Sequence, residues 1–261
     1  MSAIPILLTM LCLGQSPADV PTGDAAASEA SLKALRLRVE NTRVQLTKQA
    51  DRSLKVVEAP VFRYSDELRH IEDAGLWLWT DRGRPAATMK VERYKLGLHP
   101  RPWLYCFTSL SPELVSAEWS DERKYQARKP GIEWKSLHDS PKETRAARLV
   151  QMRDIARRFS AEVFDFNNDS RQMRLLSRPL YRQEDGNNSD GALFGFTGTG
   201  TNPDLLLLLE TQAGGGWQYG LATMTAEGLR VRLGDKLVWE APHTGGKGTE
   251  FDNWMYFSPK N

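Results

Sequence analysis

The sequence is poor in the features that would assign a chemistry to it. It has only two cysteines in 261 residues, and Cys12 lies in an apolar run at the N-terminus. If that run is removed, Cys106 has no partner for an intramolecular disulfide. Its place inside the apolar run 104–107 predicts a buried, unreactive thiol. The fold must therefore be held by burial of side chains alone.

Strong charge and catalytic motifs are also missing. The formal net charge is +2, which creates no field that would recruit nucleic acid, so no nucleic-acid partner is expected. There is no HExxH, CxxC or GxSxG pattern, so neither a zinc site nor a serine nucleophile is predicted. The glycine-rich segments 198–203 and 245–249 fit no phosphate-binding pattern and are expected to be turns. No catalytic residue, cofactor or metal is predicted. The histidines, which lack metal-ligand spacing, are His70, His99, His138 and His243.

The N-terminus carries the clearest targeting signal. Residues 4–13 are apolar, which is too short to span a bilayer but typical of a signal-peptide core. Small residues suited to cleavage follow at Gly14 and Ala18. We expect a signal peptide over 1–18, a disordered spacer over 19–30, and a secreted or periplasmic mature chain without a transmembrane span. An uncleaved anchor is the alternative.

The segment 179–210 resembles an earlier segment, 60–92, and the match continues beyond both. Self-similarity at this spacing is typical of a duplicated structural unit. We therefore predict an internal repeat made of two tandem units, 31–139 and 140–261. The matched pairs are Pro60 and Pro179, Phe62 and Tyr181, Arg63 and Arg182, Asp73 and Asp190, Leu76 and Leu193, Trp77 and Phe194, Thr80 and Thr197, Trp103 and Trp217, and Tyr105 and Tyr219.

Each unit is predicted to begin with an amphipathic helix. Apolar residues at helical spacing predict the first helix over 27–56. The second is predicted over 140–166, with Ser140 as N-cap, Pro141 in the first turn and Glu143 completing a capping box. Short strands joined by turns follow each helix, which indicates antiparallel pairing. The predicted fold class is α+β, with each unit an amphipathic helix packed on an antiparallel β-meander.

Two strands differ in the sides they bury. Residues 205–209 are all leucine, which predicts a central strand covered on both faces. In the first unit, Met89 and Val91 alternate with Lys90 and Glu92. We expect one face of that strand to meet water.

The repeated polar and aromatic residues allow two interpretations. Arg63 with Asp73, and Arg182 with Asp190, occur in both units, which favours a structural ion pair over chemistry. Trp217 and Tyr219 share one face of a strand and are expected to pack against a helix. If that face is open, these two residues together with Tyr181 and Arg182 form the candidate ligand-binding site.

Paired acids give a catalytic alternative. Glycoside hydrolysis needs two carboxyl groups at a suitable separation, and the second unit offers several. The rival hypothesis is a hydrolase, possibly acting on glycans, in a cleft between the units. The candidate acids are Asp185, Asp190, Glu210 and Glu240.

Two blocks resemble a group of uncharacterised secreted proteins of planctomycete-type bacteria. They are PxFR…GLWLW…GRP over 60–85 and RPLYR…DGALFGF…TNPDLLLLLE over 178–210. The resemblance implies export and carries over no catalytic residue. The favoured hypothesis is an exported, non-enzymatic binding or scaffold protein whose partner is a glycan or an envelope protein. A third hypothesis is an interaction subunit of an envelope complex that uses the basic first helix.

Overall fold

The computed structural model describes residues 23–48, 53–183, 190–246 and 248–259. The expected signal peptide and Asp185 lie outside these residues. The two helices are α1 (Gly23–Glu40) and α2 (Arg145–Arg157). The strands are β1 (Arg43–Leu46), β2 (Lys55–Val56), β3 (Phe62–Asp66), β4 (Ile71–Asp81), β5 (Arg84–Tyr94), β6 (Trp103–Ser109), β7 (Val115–Glu118), β8 (Lys124–Gln126), β9 (Lys135–Leu137), β10 (Phe159–Phe164), β11 (Ser170–Gln172), β12 (Arg174–Leu175), β13 (Tyr181–Arg182), β14 (Gly191–Thr197), β15 (Leu205–Thr211), β16 (Trp217–Thr223), β17 (Gly228–Leu233), β18 (Lys236–Ala241) and β19 (Trp254–Phe257).

The prediction of an α+β fold with an amphipathic helix on each unit is wrong. The described part of the chain is mostly antiparallel β-sheet, arranged in four sheets, and only two helices accompany them. Both helices are shorter than predicted because a strand follows each one closely. In these strands buried and more exposed residues alternate, and the buried ones also fit the spacing of an apolar stripe on a helix.

The first predicted helix, 27–56, divides into α1 and β1. In β1, Val44 and Leu46 are buried while Arg43 is exposed, which is the alternation of a strand. The apolar stripe of α1 is also buried, since Leu35 and Val39 belong to the core. Residues 23–30, predicted as a disordered spacer, are part of α1.

The second predicted helix also starts late and ends early. Thr144, and not Ser140, is the N-cap of α2, and its Oγ1 accepts a hydrogen bond from Ala147 N at 3.2 Å. The residues from Phe159 onward form β10, because they pair on both sides, with β11 and with β17.

The described residues form two large sheets and two small sheets, and the strand orders of the two parts of the chain correspond. Each has a large sheet, with strand order β19-β6-β5-β4-β2 in the first unit and β9-β16-β15-β14-β12 in the second. Each large sheet has one further short strand. Strand β3 pairs with β4, as β2 does, and strand β13 pairs with β14, as β12 does. Each half also has a small sheet, β1-β7-β8 or β10-β17-β18, and β11 extends the latter.

The described residues form four hydrophobic clusters, and the smallest of them includes Tyr64 and Ile71 of the first large sheet. In each unit one face of the large sheet packs against the small sheet and the helix. The other faces of the two large sheets pack against each other and join the units. This central contact contains mainly leucine side chains, with Cys106 and Trp254 among them. Cys106 is 1% exposed, which confirms the predicted burial, and this burial raises the pKa of its thiol to about 12.

The units also exchange edge strands. Strand β9, from the end of the first half, completes the large sheet of the second unit by pairing with β16. Strand β19, from the end of the chain, completes the large sheet of the first unit by pairing with β6. Strand β9 precedes the other strands of the second large sheet, and β19 follows the other strands of the first, so each large sheet includes a segment from the other unit.

One of the two strand predictions holds. Strand β15 lies between β14 and β16, and Leu205 to Leu209 are all buried, as a doubly covered strand requires. The prediction that one face of β5 meets water is wrong. Lys90 and Glu92 are each 2% exposed, because that face packs against the second unit.

Candidate functional site

A cavity of about 330 Å³ opens at one end of the contact between the two units. The first unit contributes residues of β5, of the β3–β4 turn and of β19. The second contributes the β14–β15 loop, the β16–β17 loop and β11. Most lining side chains are charged, polar or aromatic. They are Arg69, Lys90, Glu92, Tyr94, Arg171, Asn202, Asp204, Met224, Thr225, Ala226, Glu227, Trp254 and Tyr256.

Glu92 lies at the centre of the hydrogen bonds behind this cavity. Its Oε1 accepts from the hydroxyl of Tyr64 at 2.8 Å and from Asn202 Nδ2 at 3.2 Å. Its Oε2 accepts from the hydroxyl of Tyr94 at 3.1 Å, and that hydroxyl lies 3.3 Å from the hydroxyl of Tyr256. A buried carboxylate is thus held by donors from both units.

Lys90 joins the same network from the adjacent inward position of β5. Its ammonium donates to Asn202 Oδ1 at 2.8 Å and to the carbonyl of Pro203 at 2.9 Å. The Asn202 side chain therefore bridges a buried cation and a buried anion. An ammonium has three donors, and the described residues accept from two of them at Lys90.

Arg69 and Asp204 form the second charged pair of the cleft. The guanidinium donates to both carboxylate oxygens of Asp204, at 3.0 and 3.2 Å. Burial lowers the pKa of Arg69, but the Asp204 carboxylate outweighs this effect and raises it overall. Asp204 is 1% exposed, and the backbone N–H of Gly198 also donates to it at 3.1 Å. The two units are therefore joined by a fixed, bidentate ion pair at the mouth of the cleft.

The β14–β15 loop reaches the first unit because of its glycines. Gly200 has φ of +57°, and a Cβ at this position would lie 2.8 Å from Asp66 Oδ2. The loop is the segment 198–203, which is a turn, as its sequence indicates. It delivers Asn202 and Asp204 to the cleft.

The phenols of the cleft are held in the protonated form. Burial, followed by the nearby Glu92 carboxylate, raises the pKa of Tyr64 and of Tyr94 well above the ordinary value. The pKa of Tyr256 is raised by the same two causes. These groups are therefore neutral hydrogen-bond donors and acceptors near pH 7.

The opposite end of the contact between the units has a matching arrangement in which an arginine side chain lies beside the glutamate, and we call it the closed end. Glu92 pairs with Ala74 across the sheet, and Glu210 pairs with Gly191. Ala74 and Gly191 each come directly after one of the two matched aspartates, so the two glutamates occupy equivalent positions. At the closed end, Arg84 Nε of the first unit lies 2.7 Å from Glu210 Oε2 of the second. Arg84 and Asn202 each lie eight residues before the glutamate of their own strand. The two contacts are therefore reciprocal.

The two ends differ in the residues that would fill a cavity. Leu208 pairs with Leu193 across the sheet, and Lys90 pairs with Leu76. Because Leu193 and Leu76 are matched residues, Leu208 is the equivalent of Lys90. At the closed end the Arg84 guanidinium lies 5.1 Å from the ring centroid of Trp134. At the open end the shorter Asn202 replaces the arginine. The two equivalent positions thus differ in the side chains that surround the glutamate.

The residues proposed from the sequence lie elsewhere. Trp217 and Tyr219 are 0% and 4% exposed and belong to the core between the sheets of the second unit, where Phe159 packs edge-on against Tyr219 at 5.0 Å. The face that they share is closed. Tyr181 is half-buried at the contact between units, and its hydroxyl donates to the Gly83 carbonyl at 3.0 Å.

Arg182 and its counterpart Arg63 form the ion pairs that their repetition favours. Arg182 donates to both oxygens of Asp190, at 3.2 and 2.8 Å, and Arg63 donates to both oxygens of Asp73, at 2.9 and 2.8 Å. Arg148 of α2 adds a hydrogen bond of 2.8 Å to Asp190. Each pair ties the start of a large-sheet strand to the short strand beside it.

The acids proposed for hydrolysis do not meet in the cleft. Glu210 lies at the closed end, Asp190 is held by two arginines, and Glu240 lies 2.8 Å from Arg230. The three carboxylates that do line the cavity, Glu92, Asp204 and Glu227, were not among the candidates. One signal in the sequence points to the cavity. Lys90 interrupts a strand whose equivalent in the second unit, 205–209, is a run of leucines.

Comparisons of the chain with protein-family models, with curated proteins and with solved structures find no match. In the part of the chain that the structure describes, no helix has the length and apolarity needed to cross a membrane. The same residues include no group of three or more histidine, cysteine or acidic side chains placed to hold a metal ion. The geometry of the cleft is therefore the basis for assigning a function.

Proposed function

We propose that the protein is a binding protein and that the cleft beside Glu92 takes a small, uncharged, hydroxyl-rich ligand such as one or two sugar units. The observation that carries this proposal is the cavity itself, which lies between the two units and is lined by buried polar groups. Clefts between structural units, with a few convergent polar groups, are common ligand sites.

The charges around the cavity support a neutral ligand. Three cationic side chains and three carboxylates line it, and they are Arg69, Lys90, Arg171, Glu92, Asp204 and Glu227. This balance gives no preference for an anion or a cation. Hydroxyl groups both donate and accept, so they can bond the carboxylates and the ammonium together. Tyr256 and Trp254 add aromatic surface of the kind on which sugar rings pack.

Binding can be tested by calorimetric titration with a panel of neutral and acidic mono- and disaccharides. We expect saturable binding of a neutral sugar, and at least a tenfold weaker affinity for Tyr256→Phe, which removes one hydroxyl from the cavity. Tyr219→Phe is the matched control, because it makes the same change in the closed core of the second unit. Absence of saturable binding across the panel, or an equal loss in both variants, would refute the proposal.

Hydrolysis is the second candidate, because Glu92 and Asp204 line one cavity. Against it, each carboxylate of the cavity is already engaged by protein donors: Glu92 by Tyr64, Tyr94 and Asn202, Asp204 by Arg69, and Glu227 by Arg171. Incubation with chromogenic glycosides distinguishes the two functions. Turnover that is lost in Glu92→Gln would establish the enzyme, and binding without turnover the binding protein.

We propose further that the chain is exported and that its two units arose by duplication of one ancestral unit. The apolar run 4–13 supports export. The shared strand order, the reciprocal contacts of Glu92 and Glu210, and the two arginine–aspartate pairs support duplication. Identification of the N-terminal residue of the protein recovered from the periplasm or medium tests export. A start at Met1 in protein confined to the cytoplasm would exclude it.

A further inference from the structure

A second cavity, of about 600 Å³, lies beside the C-terminal end of α1 and shares no lining residue with the cleft. The connection between β5 and β6 and the segment after β19 form its other walls. Two arginines, Arg38 and Arg101, line it, and its described lining includes no acidic residue. This cavity therefore differs from the cleft, where cationic and acidic side chains are balanced.

Arg38, in the last turn of α1, is positioned mainly by aromatic side chains. Its guanidinium carbon lies 3.8 Å from the centroid of the Trp103 ring, which is a cation–π contact. Its Nη1 donates to the hydroxyl of Tyr105 at 3.4 Å, and its side chain donates to no other described residue. Its Nε is enclosed and has no partner among the same residues. A guanidinium has five N–H groups, so three of them, on Nη1 and Nη2, remain for a ligand.

Neither arginine of the cavity is neutralised by a carboxylate. Ion pairs hold several other arginines of the chain, but within the described ranges Arg38 and Arg101 take part in none. Asp121 lies 3.8 Å from Arg123 Nε and does not line the cavity. A cavity with side chains of one charge sign concentrates ions of the opposite sign, so this one favours anions.

We propose that this cavity binds an organic anion, whose carboxylate or phosphate group accepts hydrogen bonds from Arg38 and Arg101. The planar guanidinium group matches the oxygens of both kinds of anion. The volume of the cavity suits a ligand larger than a bare ion. Pro100, Pro102 and Pro259 offer apolar surface for the rest of such a molecule. The site is separate from the cleft, so this proposal does not depend on the binding of a sugar there.

Four probes separate the contribution of charge from that of apolar contact: inorganic phosphate, phenyl phosphate, benzoate and the neutral benzyl alcohol. In calorimetric titrations of the full chain, we expect phenyl phosphate, benzoate or both to bind saturably, and benzyl alcohol not to bind. The tighter of the two anions identifies the preferred charged group. Phosphate alone should bind more weakly than phenyl phosphate, because it lacks the apolar part. In NMR spectra the indole N–H signal of Trp103 should shift during the titration, which locates the site.

Two variants test the arginines directly. Arg38→Gln and Arg101→Gln should each weaken binding of the anion by about tenfold or more, because each removes a charge and its hydrogen-bond donors. Arg101 is exposed in a loop, so Arg101→Gln tests the site even if Arg38→Gln disturbs the packing of α1. Arg36→Gln is the matched control, because Arg36 lies on the same helix and pairs with Glu40 at the surface. It should leave the affinity unchanged.

Several results would overturn the proposal. One is the absence of saturable binding for every anion of the set. Another is binding of benzyl alcohol as tight as that of the anions, which would show an apolar site. An anion that binds without moving the Trp103 signal, or that loses as much affinity in Arg36→Gln as in Arg101→Gln, would also contradict it.

Discussion

At the scale of single residues, the cleft depends on charges that a strand interior normally lacks. Lys90 occupies a position where the second unit has Leu208, and it is buried with two acceptors, Asn202 Oδ1 and the Pro203 carbonyl. Its sequence neighbourhood alternates as a half-exposed strand does. That pattern does not show that a second sheet covers the polar face, so the site could not be predicted from it.

We expect Lys90→Met to destabilise the chain much more than Leu208→Met. The methionine fills the same space but leaves two buried acceptors unpaired, at a cost of about 1–3 kcal/mol each. The matched change at Leu208 conserves volume and polarity and should cost less than about 1.5 kcal/mol. Urea unfolding of both variants provides the measurement. Equal losses would show that the Lys90 hydrogen bonds contribute nothing to stability.

Asp190 should make stability depend on acid pH. Burial raises the pKa of its carboxyl, but hydrogen bonds from Arg182 and Arg148 outweigh this and hold it below the ordinary value. A lowered pKa stabilises the fold above the unfolded-state value, about 3.9, and this contribution is lost as pH falls through the folded-state value. At neutral pH, Asp190→Asn should cost about 1.5–3 kcal/mol.

The free energies of unfolding of the wild type and of Asp190→Asn should therefore become more similar as the pH falls below about 4. Unfolding by urea at a series of pH values measures it. A difference that is constant with pH would contradict the ion pair.

The cleft tyrosines should make stability fall at alkaline pH. The pKa values of Tyr64, Tyr94 and Tyr256 are raised, so the folded chain holds these protons more tightly than the unfolded chain does. Their contribution is complete below about pH 10 and is lost as pH rises above it. Phenolate absorbance and circular dichroism, recorded together, check this. Ionisation of all seven tyrosines with native circular dichroism would contradict it.

At the scale of elements, local patterns predict strands and turns but not the ends of helices. The sequence at 81–85 has residues typical of a hairpin turn, and β4 and β5 are joined there, with positive φ at Arg82 and Gly83. Residues 159–164 fit a helical stripe and a strand equally well. These residues form a strand because they pair with β11 and β17, and β17 is too distant in the sequence for a local pattern to indicate it.

The equivalent strands β4 and β14 differ by a compensated pair. A Cβ on Gly75 would lie 2.2 Å from the Trp77 ring, whereas the second unit has Ala192 with the smaller Phe194. Gly75→Ala should therefore cost about 1–3 kcal/mol through overpacking. The double variant Gly75→Ala with Trp77→Phe has the same pair of residues as the second unit. Its loss of unfolding free energy should be smaller than the sum of the losses in the two single variants. If urea unfolding shows that the two losses of unfolding free energy simply add in the double variant, the proposed equivalence of the strands is contradicted.

At the scale of the whole molecule, the exchanged strands β9 and β19 link the two units. Neither large sheet is complete without a segment from outside the continuous part of its unit, and the central core is shared. We therefore expect one cooperative thermal transition, with calorimetric and van't Hoff enthalpies in agreement. Two separated transitions would show that the units are independent.

The central claim is that the cleft beside Glu92 holds a hydroxyl-rich ligand. The most direct test is a crystal structure of the chain with the saccharide that binds most tightly in the titration panel. The structure predicts the sugar between Asn202 and Tyr256, with its hydroxyls bonded to the charged side chains of the cleft. A sugar bound at the closed end beside Arg84, or a cleft that stays empty while the sugar binds elsewhere, would contradict it.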